Sequence, residues 1–205
     1  MIILILGKTG TGKTMLATYL ALKLKKPIRA NYHIFHPNAT FQKIPVPAKN
    51  TTLIYDDIYS IPSRFQNVLE FIVANLSRKL DIDLILTAQR NIFITKTLRE
   101  IAHSVIMCER CLKHENEFII DTTIVENYEA KTMKFNIPFA VAKVYDTKEI
   151  IEPCQLSDFF PFLENNFTKH LIELYALQNR TFYRELLSAY KKSIQKEKQI
   201  KICKN

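Results

Sequence analysis

The sequence predicts an α/β fold built on a mostly parallel sheet, and three features carry that prediction. Short apolar runs alternate with helical patterns through the first half, as strand–helix–strand units require. Three of these runs, Ile2–Leu6, Leu53–Tyr55 and Leu84–Leu86, are continuously apolar rather than alternating. Central strands covered on both faces read this way. A glycine-bearing stretch, Gly7 to Thr14, also lies between the first run and the first helical pattern, where a strand passes into a helix that can hold phosphate at its start.

Taken in order, Ile2–Leu6 is a buried strand, and a helix follows from about Lys13 to Lys25. Leu16, Leu20 and Leu24 share one face of that helix, and Pro27 stops it. Residues 31–50, with three prolines, read as loop. A second helix is expected over 62–79, with Phe65, Leu69, Ile72 and Leu76 at helical spacing and Pro62 in its first turn. Residues 96–102 form a short helix. Two strands, 103–112 and 117–125, are joined by the polar turn 113–116, and a further strand spans about 133–144. The end is helical, with Leu171, Tyr175, Phe182, Leu186, Tyr190 and Ile194 recurring at helical spacing. The expected organisation is a core over 1–150, carrying a β-hairpin, with a helical segment and basic tail over 151–205 in the same domain.

A length of 205 residues suits one globular domain. Hydrophobic content of 47% and charged content of 24% suit a folded chain rather than a disordered one. No apolar run approaches the ~18–20 residues of a membrane-spanning helix, and Met1 to Leu6 is too short for a signal-peptide core. The expected location is therefore cytoplasmic. A net charge of +9 points to a polyanionic partner such as nucleic acid. The stretch 191–205 holds six lysines against one acid, Glu197, and reads equally as a basic arm or a solvated helix end. Cys108, Cys111 and His114 resemble half of a zinc site but lack a second ligand pair. On a regular strand the two cysteines would also face opposite ways, so ordinary strand cysteines are the expectation.

Gly7-Lys8-Thr9-Gly10-Thr11-Gly12-Lys13-Thr14 matches the P-loop pattern G-x-x-x-x-G-K-[ST] in full, between an apolar strand and an amphipathic helix. Backbone N–H groups of such a loop form a nest for the β-phosphate, and the helix start adds free N–H groups and its positive dipole end. Lys13 brings a full charge to the β- and γ-phosphates, and the Thr14 hydroxyl is placed for Mg²⁺. Met15 completes the set expected to touch nucleotide, after Gly7, Thr9, Gly10, Thr11, Gly12, Lys13 and Thr14. The chain contains three glycines, and all three are in this loop. Average usage would give about fourteen. Glycine is kept here where backbone must approach phosphate without a Cβ.

Leu53-Ile54-Tyr55-Asp56-Asp57 is an apolar strand ending in two acids, the Walker B form. Asp56 is the metal-side candidate and Asp57 the base that polarises the attacking water. Asp57 stands where ATPases of this kind usually carry the longer glutamate. Leu84 to Arg90 ends a buried strand in Thr87-Ala88-Gln89. The amide of Gln89 can orient a water and bond a phosphate oxygen, which suits a γ-phosphate sensor. Arg78 ends the second helix and is a candidate to reach a neighbouring subunit's ATP, because a planar guanidinium suits spread transition-state charge. Arg90 and Lys8 are further candidates for that role.

The P-loop, the Leu53–Asp57 strand, the Ser77-Arg78-Lys79 step and the Thr87-x-Gln89 strand end together resemble the FtsK–HerA superfamily of DNA-pumping ATPases. Within it, the small single-domain build is most similar to the genome-packaging ATPases of Sulfolobus turreted icosahedral viruses. The resemblance covers about residues 1–110. It implies a RecA-like core with the sensor strand between the P-loop strand and the Asp56 strand. It also implies ATP and Mg²⁺ as cofactors and a homo-oligomeric ring, a hexamer, with double-stranded DNA in its channel. The partner would be a viral capsid or its internal membrane vertex, in host cytoplasm or on the virion.

Three other readings share parts of this pattern. A Zot-like phage assembly ATPase has the same motif order but usually carries a membrane-spanning helix. A nucleoside or nucleotide kinase would need an arginine-rich lid and has no need of the Asp56-Asp57 strand end. A nucleotide-dependent switch without catalysis would tolerate Asp57 in place of glutamate.

Overall fold

The computed structural model describes residues 1–58, 61, 66–67, 79–146, 149, 151, 154–166, 168–170, 172–173 and 180–202. The expected second helix falls mostly outside them. The chain divides into two compact units, Met1–Pro153 and Cys154–Asn205.

The first unit is organised by one eight-stranded sheet. Its strands are β1 (Ile2–Leu6), β2 (Ile28–Ala30), β3 (Ala39–Phe41), β4 (Thr52–Tyr55), β5 (Asp83–Ala88), β6 (Ser104–His114), β7 (Glu117–Glu126) and β8 (Glu129–Pro138). The spatial order is β3-β2-β4-β5-β1-β6-β7-β8. Strands β1 to β6 pair parallel to one another, and the β6–β7–β8 meander is antiparallel. The mostly parallel sheet with flanking helices is the predicted α/β class. The Gln89-ending strand β5 lies between the P-loop strand β1 and the acid-ending strand β4, the order of a RecA-like P-loop NTPase core.

The three continuously apolar runs are the central strands β1, β4 and β5, and every residue in them is buried. Ile3, Ile5, Ile54 and Ile85 join Leu16, Ala17 and Ala21 of helix α1 (Lys13–Lys23) in one core cluster. The alternate residues Leu4, Leu6, Leu53, Leu84 and Leu86 are also buried, at 2% exposure or less. Burial on both faces is why these strands carry no polar alternation. Helix α1 ends at Lys23, because Leu24 caps it and Lys25 turns left-handed at φ 55°.

Three expectations are corrected. Residues 31–50 are not all loop, since β3 falls inside them, and β2 precedes them. Both are three-residue strands, too short to leave a periodic pattern. The strand expected over 133–144 is β8, which starts earlier and stops at Pro138 before one helical turn, Phe139–Ala142. Pro138 has no N–H to extend the ladder. The cysteines of β6 do not face opposite ways. The register with β7 shifts between Cys108 and Arg110, so the bulge returns Cys111 to the face of Cys108. Both pack on the α1 core cluster.

In the second unit, Phe159, Phe162, Ile172, Phe182 and Leu186 are buried. Phe159 packs edge-on against Phe182 of the long helix Arg180–Ile202 at 6.0 Å between ring centres. The lysines at 191, 192 and 196 lie on that helix. Among the described residues, no helix is long and apolar enough to cross a membrane.

Candidate nucleotide site

The loop leaving β1 enters α1 through Gly12, whose left-handed backbone (φ 87°) forms the helix N-cap. A Cβ on Gly12 would stand 2.7 Å from Ile120 Cδ1 and 3.3 Å from Cys111 Cβ. The β6–β7 pair therefore presses on the loop where the helix begins. A Cβ on Gly7 would collide with the Cys108 carbonyl oxygen. Gly10, in contrast, has nothing within 4 Å of that position. Two of the glycines are fixed by neighbouring backbone and side chains, and the third faces open space.

A cavity of about 420 Å³ opens above this loop. Thr9, Gly10, Gly12, Lys13, Thr14 and Met15 line it together with Asp56, Asp57 and Gln89. Residues from three strand ends thus converge on one space. Gly7 and Thr11 do not line it. The Gly7 N–H donates to the Ala88 carbonyl at 3.3 Å, tying the ends of β1 and β5, and Thr11 donates to the Lys8 carbonyl. Lys8 and Arg90 are exposed and stand outside the cavity wall, and Arg78 lies outside the described residues. Lys13 is buried, and its Nζ donates to the Lys8 carbonyl at 3.1 Å, so the charge is held at the loop.

Asp56 is held at both carboxylate oxygens. The Thr14 hydroxyl donates to Asp56 Oδ2 at 2.8 Å. The Thr87 hydroxyl donates to Asp56 Oδ1 and accepts from the Asp57 N–H at 2.9 Å. Thr87 is fully buried beneath both acids and is absent from the cavity wall, so it acts through them. Burial pushes the Asp56 carboxyl up to about 6, and the Asp57 charge adds to this. The Thr87 and Thr14 hydrogen bonds and the Lys13 charge oppose it. Asp57 itself turns left-handed at φ 47°, a conformation that costs a side-chain-bearing residue energy and clusters at functional sites.

Several contributors carried no motif. Asn31 Nδ2 donates to the Asp56 carbonyl at 2.8 Å, and Asn31 Oδ1 accepts the Asp56 N–H at 2.7 Å. The Thr18 hydroxyl donates to the Thr14 carbonyl and shares a hydrogen bond with the Tyr32 hydroxyl at 2.7 Å. Burial and the nearby Asp56 charge keep the Tyr32 phenol protonated far above its usual range. Tyr145, Asp146, Glu149 and Ile151 also line the cavity. Glu149 accepts both the backbone N–H of His33 and its ring Nδ1, each at 2.7 Å. Burial pushes the Cys108 thiol up to about 12 and raises Cys111 as well. Among the described residues, no group of three or more His, Cys, Asp or Glu gathers around a common point.

An oxygen-rich pair suits magnesium. The Thr14 hydroxyl and the Asp56 carboxylate meet beside Lys13, and both are hard donors of the kind Mg²⁺ takes alongside phosphate oxygens. The raised Asp56 carboxyl is likewise a buried anion that a cation would relieve.

No curated protein matches the sequence. Among solved structures, the chain is similar to the N-terminal domain of zonular occludens toxin from Neisseria meningitidis. That match has 15% identity and a TM-score of 0.49, and it covers 71% of this chain and 98% of that one. It is also similar to the DNA-packaging ATPase of Sulfolobus turreted icosahedral virus, at 15% identity and a TM-score of 0.43, covering 67% of this chain and 97% of that one. The family model described as Novel STAND NTPase 3 matches residues 1–138, a stretch that holds the P-loop, both acids, Gln89 and all eight strands. With the P-loop and the ends of the Asp56 and Gln89 strands gathered on one cavity, the chain belongs to the Novel STAND NTPase 3 family of P-loop NTPases.

Proposed function

We propose that this chain is a magnesium-dependent ATPase whose hydrolysis drives double-stranded DNA through a ring of identical copies. The observation that carries the hydrolytic half is the convergence of Lys13, Thr14, Asp56, Asp57 and Gln89 on one cavity. In this reading the loop N–H groups and the α1 start hold the β-phosphate, and Lys13 neutralises the β- and γ-oxygens. Thr14 and Asp56 would hold Mg²⁺, which would supply positive charge against the phosphate oxygens. Asp57 accepts a proton from the attacking water, and Thr87 fixes its backbone for that task. Gln89 orients the water and the γ-phosphate. A cation from a neighbouring copy, Arg78, Arg90 or Lys8, completes the charge balance.

The DNA half rests on the +9 net charge, on the lysines along the Arg180–Ile202 helix, and on the motif order shared with DNA-pumping ATPases. A hexamer working at a capsid vertex is the form the same reading takes. The test is ATP hydrolysis with and without duplex DNA, measured beside oligomeric mass. Turnover that rises on adding DNA, in a species of several copies, is the expected result. Turnover indifferent to DNA but dependent on a small phosphate acceptor would replace this reading with a kinase.

A further inference from the structure

The residue that follows β2 does something the P-loop and Walker B patterns do not mention. Strand β2 pairs with β4 through Ile28↔Thr52, Arg29↔Leu53 and Ala30↔Ile54, and the Asn31 N–H continues this onto the Ile54 carbonyl at 3.3 Å. There the backbone ladder ends. The Asn31 side chain then supplies one more rung, donating Nδ2–H to the Asp56 carbonyl and accepting the Asp56 N–H on Oδ1. A primary amide matches a peptide N–H and C=O pair in both polarity and spacing, so the reciprocal bond imitates a ladder step. Asn31 is 3% exposed, so water does not compete for either bond.

We propose that Asn31 is the positioning residue for the magnesium-side carboxylate, acting on Asp56 through its backbone. This rests on the hydrolytic reading above. The Asp56 side chain is held by Thr14 and Thr87, but hydroxyls fix a carboxylate only if its Cα is already in place. Asn31 fixes the Cα. Partners of this kind, once removed from a metal ligand, typically cost 10–100-fold in metal affinity when mutated. Asn31 also begins the run whose next residue, Tyr32, bonds Thr18 beneath Thr14, so both magnesium-side residues are supported from one end of β2.

The test uses the full chain with Asn31→Asp and Asn31→Ala. Aspartate keeps the shape but replaces the donor facing the Asp56 carbonyl with an acceptor, and alanine removes both bonds. Binding of a fluorescent ATP analogue is measured across a Mg²⁺ titration and again in excess chelator. The expected result is a Mg²⁺ midpoint raised about 10–100-fold, with affinity in chelator within about twofold of the unsubstituted chain. An equal loss in chelator would place Asn31 in the phosphate cradle instead and overturn the inference, as would an unmoved Mg²⁺ midpoint. Hydrogen exchange of the unsubstituted chain needs no variant: the Asp56 amide should be as protected as the β4 amides, and rapid exchange there contradicts the clamp. If the unsubstituted chain binds nucleotide without any Mg²⁺ dependence, the hydrolytic reading fails and takes this inference with it. Failure in the variants alone leaves that reading standing.

Discussion

The hydroxyl of Thr14 donates to the carboxylate of Asp56 across 2.8 Å, joining the P-loop helix to the acid-ending strand 42 residues later. Both oxygens are hard donors of the type magnesium prefers, and burial, with the Asp57 charge beside it, pushes the Asp56 carboxyl up to about 6.

Without nucleotide or metal, stability should fall as pH rises from about 4 to about 6 and then level off. The Asp56 carboxyl holds its proton more tightly folded than unfolded, so folding is favoured at low pH and loses that contribution as the group ionises. The rise to about 6 corresponds to about 3 kcal/mol at most. Asp56→Asn should therefore raise the unfolding temperature at pH 8 while removing Mg²⁺-dependent nucleotide binding. Thermal melts at pH 5 and pH 8 decide it, and a variant no more stable than its parent at pH 8 contradicts it.

The three glycines should not be equivalent. Gly10→Ala meets nothing and carries only the left-handed backbone cost of about 1–2 kcal/mol. Gly7→Ala and Gly12→Ala must also displace the Cys108 carbonyl and the Ile120 side chain, and should lose more stability than Gly10→Ala. Urea melts of the three variants give the ranking, and equal losses would show that the β6–β7 pair yields freely.

Gln89→Ala should lower kcat about 100-fold with little change in KM, as expected of a group that acts on the attacking water rather than on ground-state binding. Steady-state kinetics separate the two constants. A rise in KM at constant kcat would make Gln89 a binding residue instead.

DNA affinity should fall steeply with salt, and deleting 191–205 should flatten that dependence. Each DNA phosphate that no longer pairs with a lysine takes about 0.9 from the log–log slope. Six lysines lie in that stretch. An unchanged slope after the deletion would assign the tail to another surface.

The central strands and the phosphate loop were legible because each has one dominant physical signature. Burial on both faces leaves Ile2–Leu6 without polar alternation, and close approach of Cys108 and Ile120 to the loop leaves glycine at 7 and 12. Asp56, Asp57 and Gln89 were legible because each ends such a strand. Asn31 was not. It follows a three-residue strand with no period, and a buried asparagine is indistinguishable in sequence from a turn asparagine until its partner is known. Thr87 was legible as a polar strand end, but its hydroxyl turns under the acids rather than toward the cavity. The facing of Cys108 and Cys111 is not legible in the sequence because one bulge residue reverses the parity of a strand.

ATP turnover by the unsubstituted chain and by Lys13→Ala, in saturating Mg²⁺, tests the central claim most directly. Among the described residues, Lys13 is the one lysine or arginine on the cavity wall, held over the loop by the Lys8 carbonyl. Its removal should lower turnover to background, at least about 100-fold, with the fold intact by thermal melt. Hydrolysis that persists unchanged in Lys13→Ala would place the chemistry elsewhere and contradict the account.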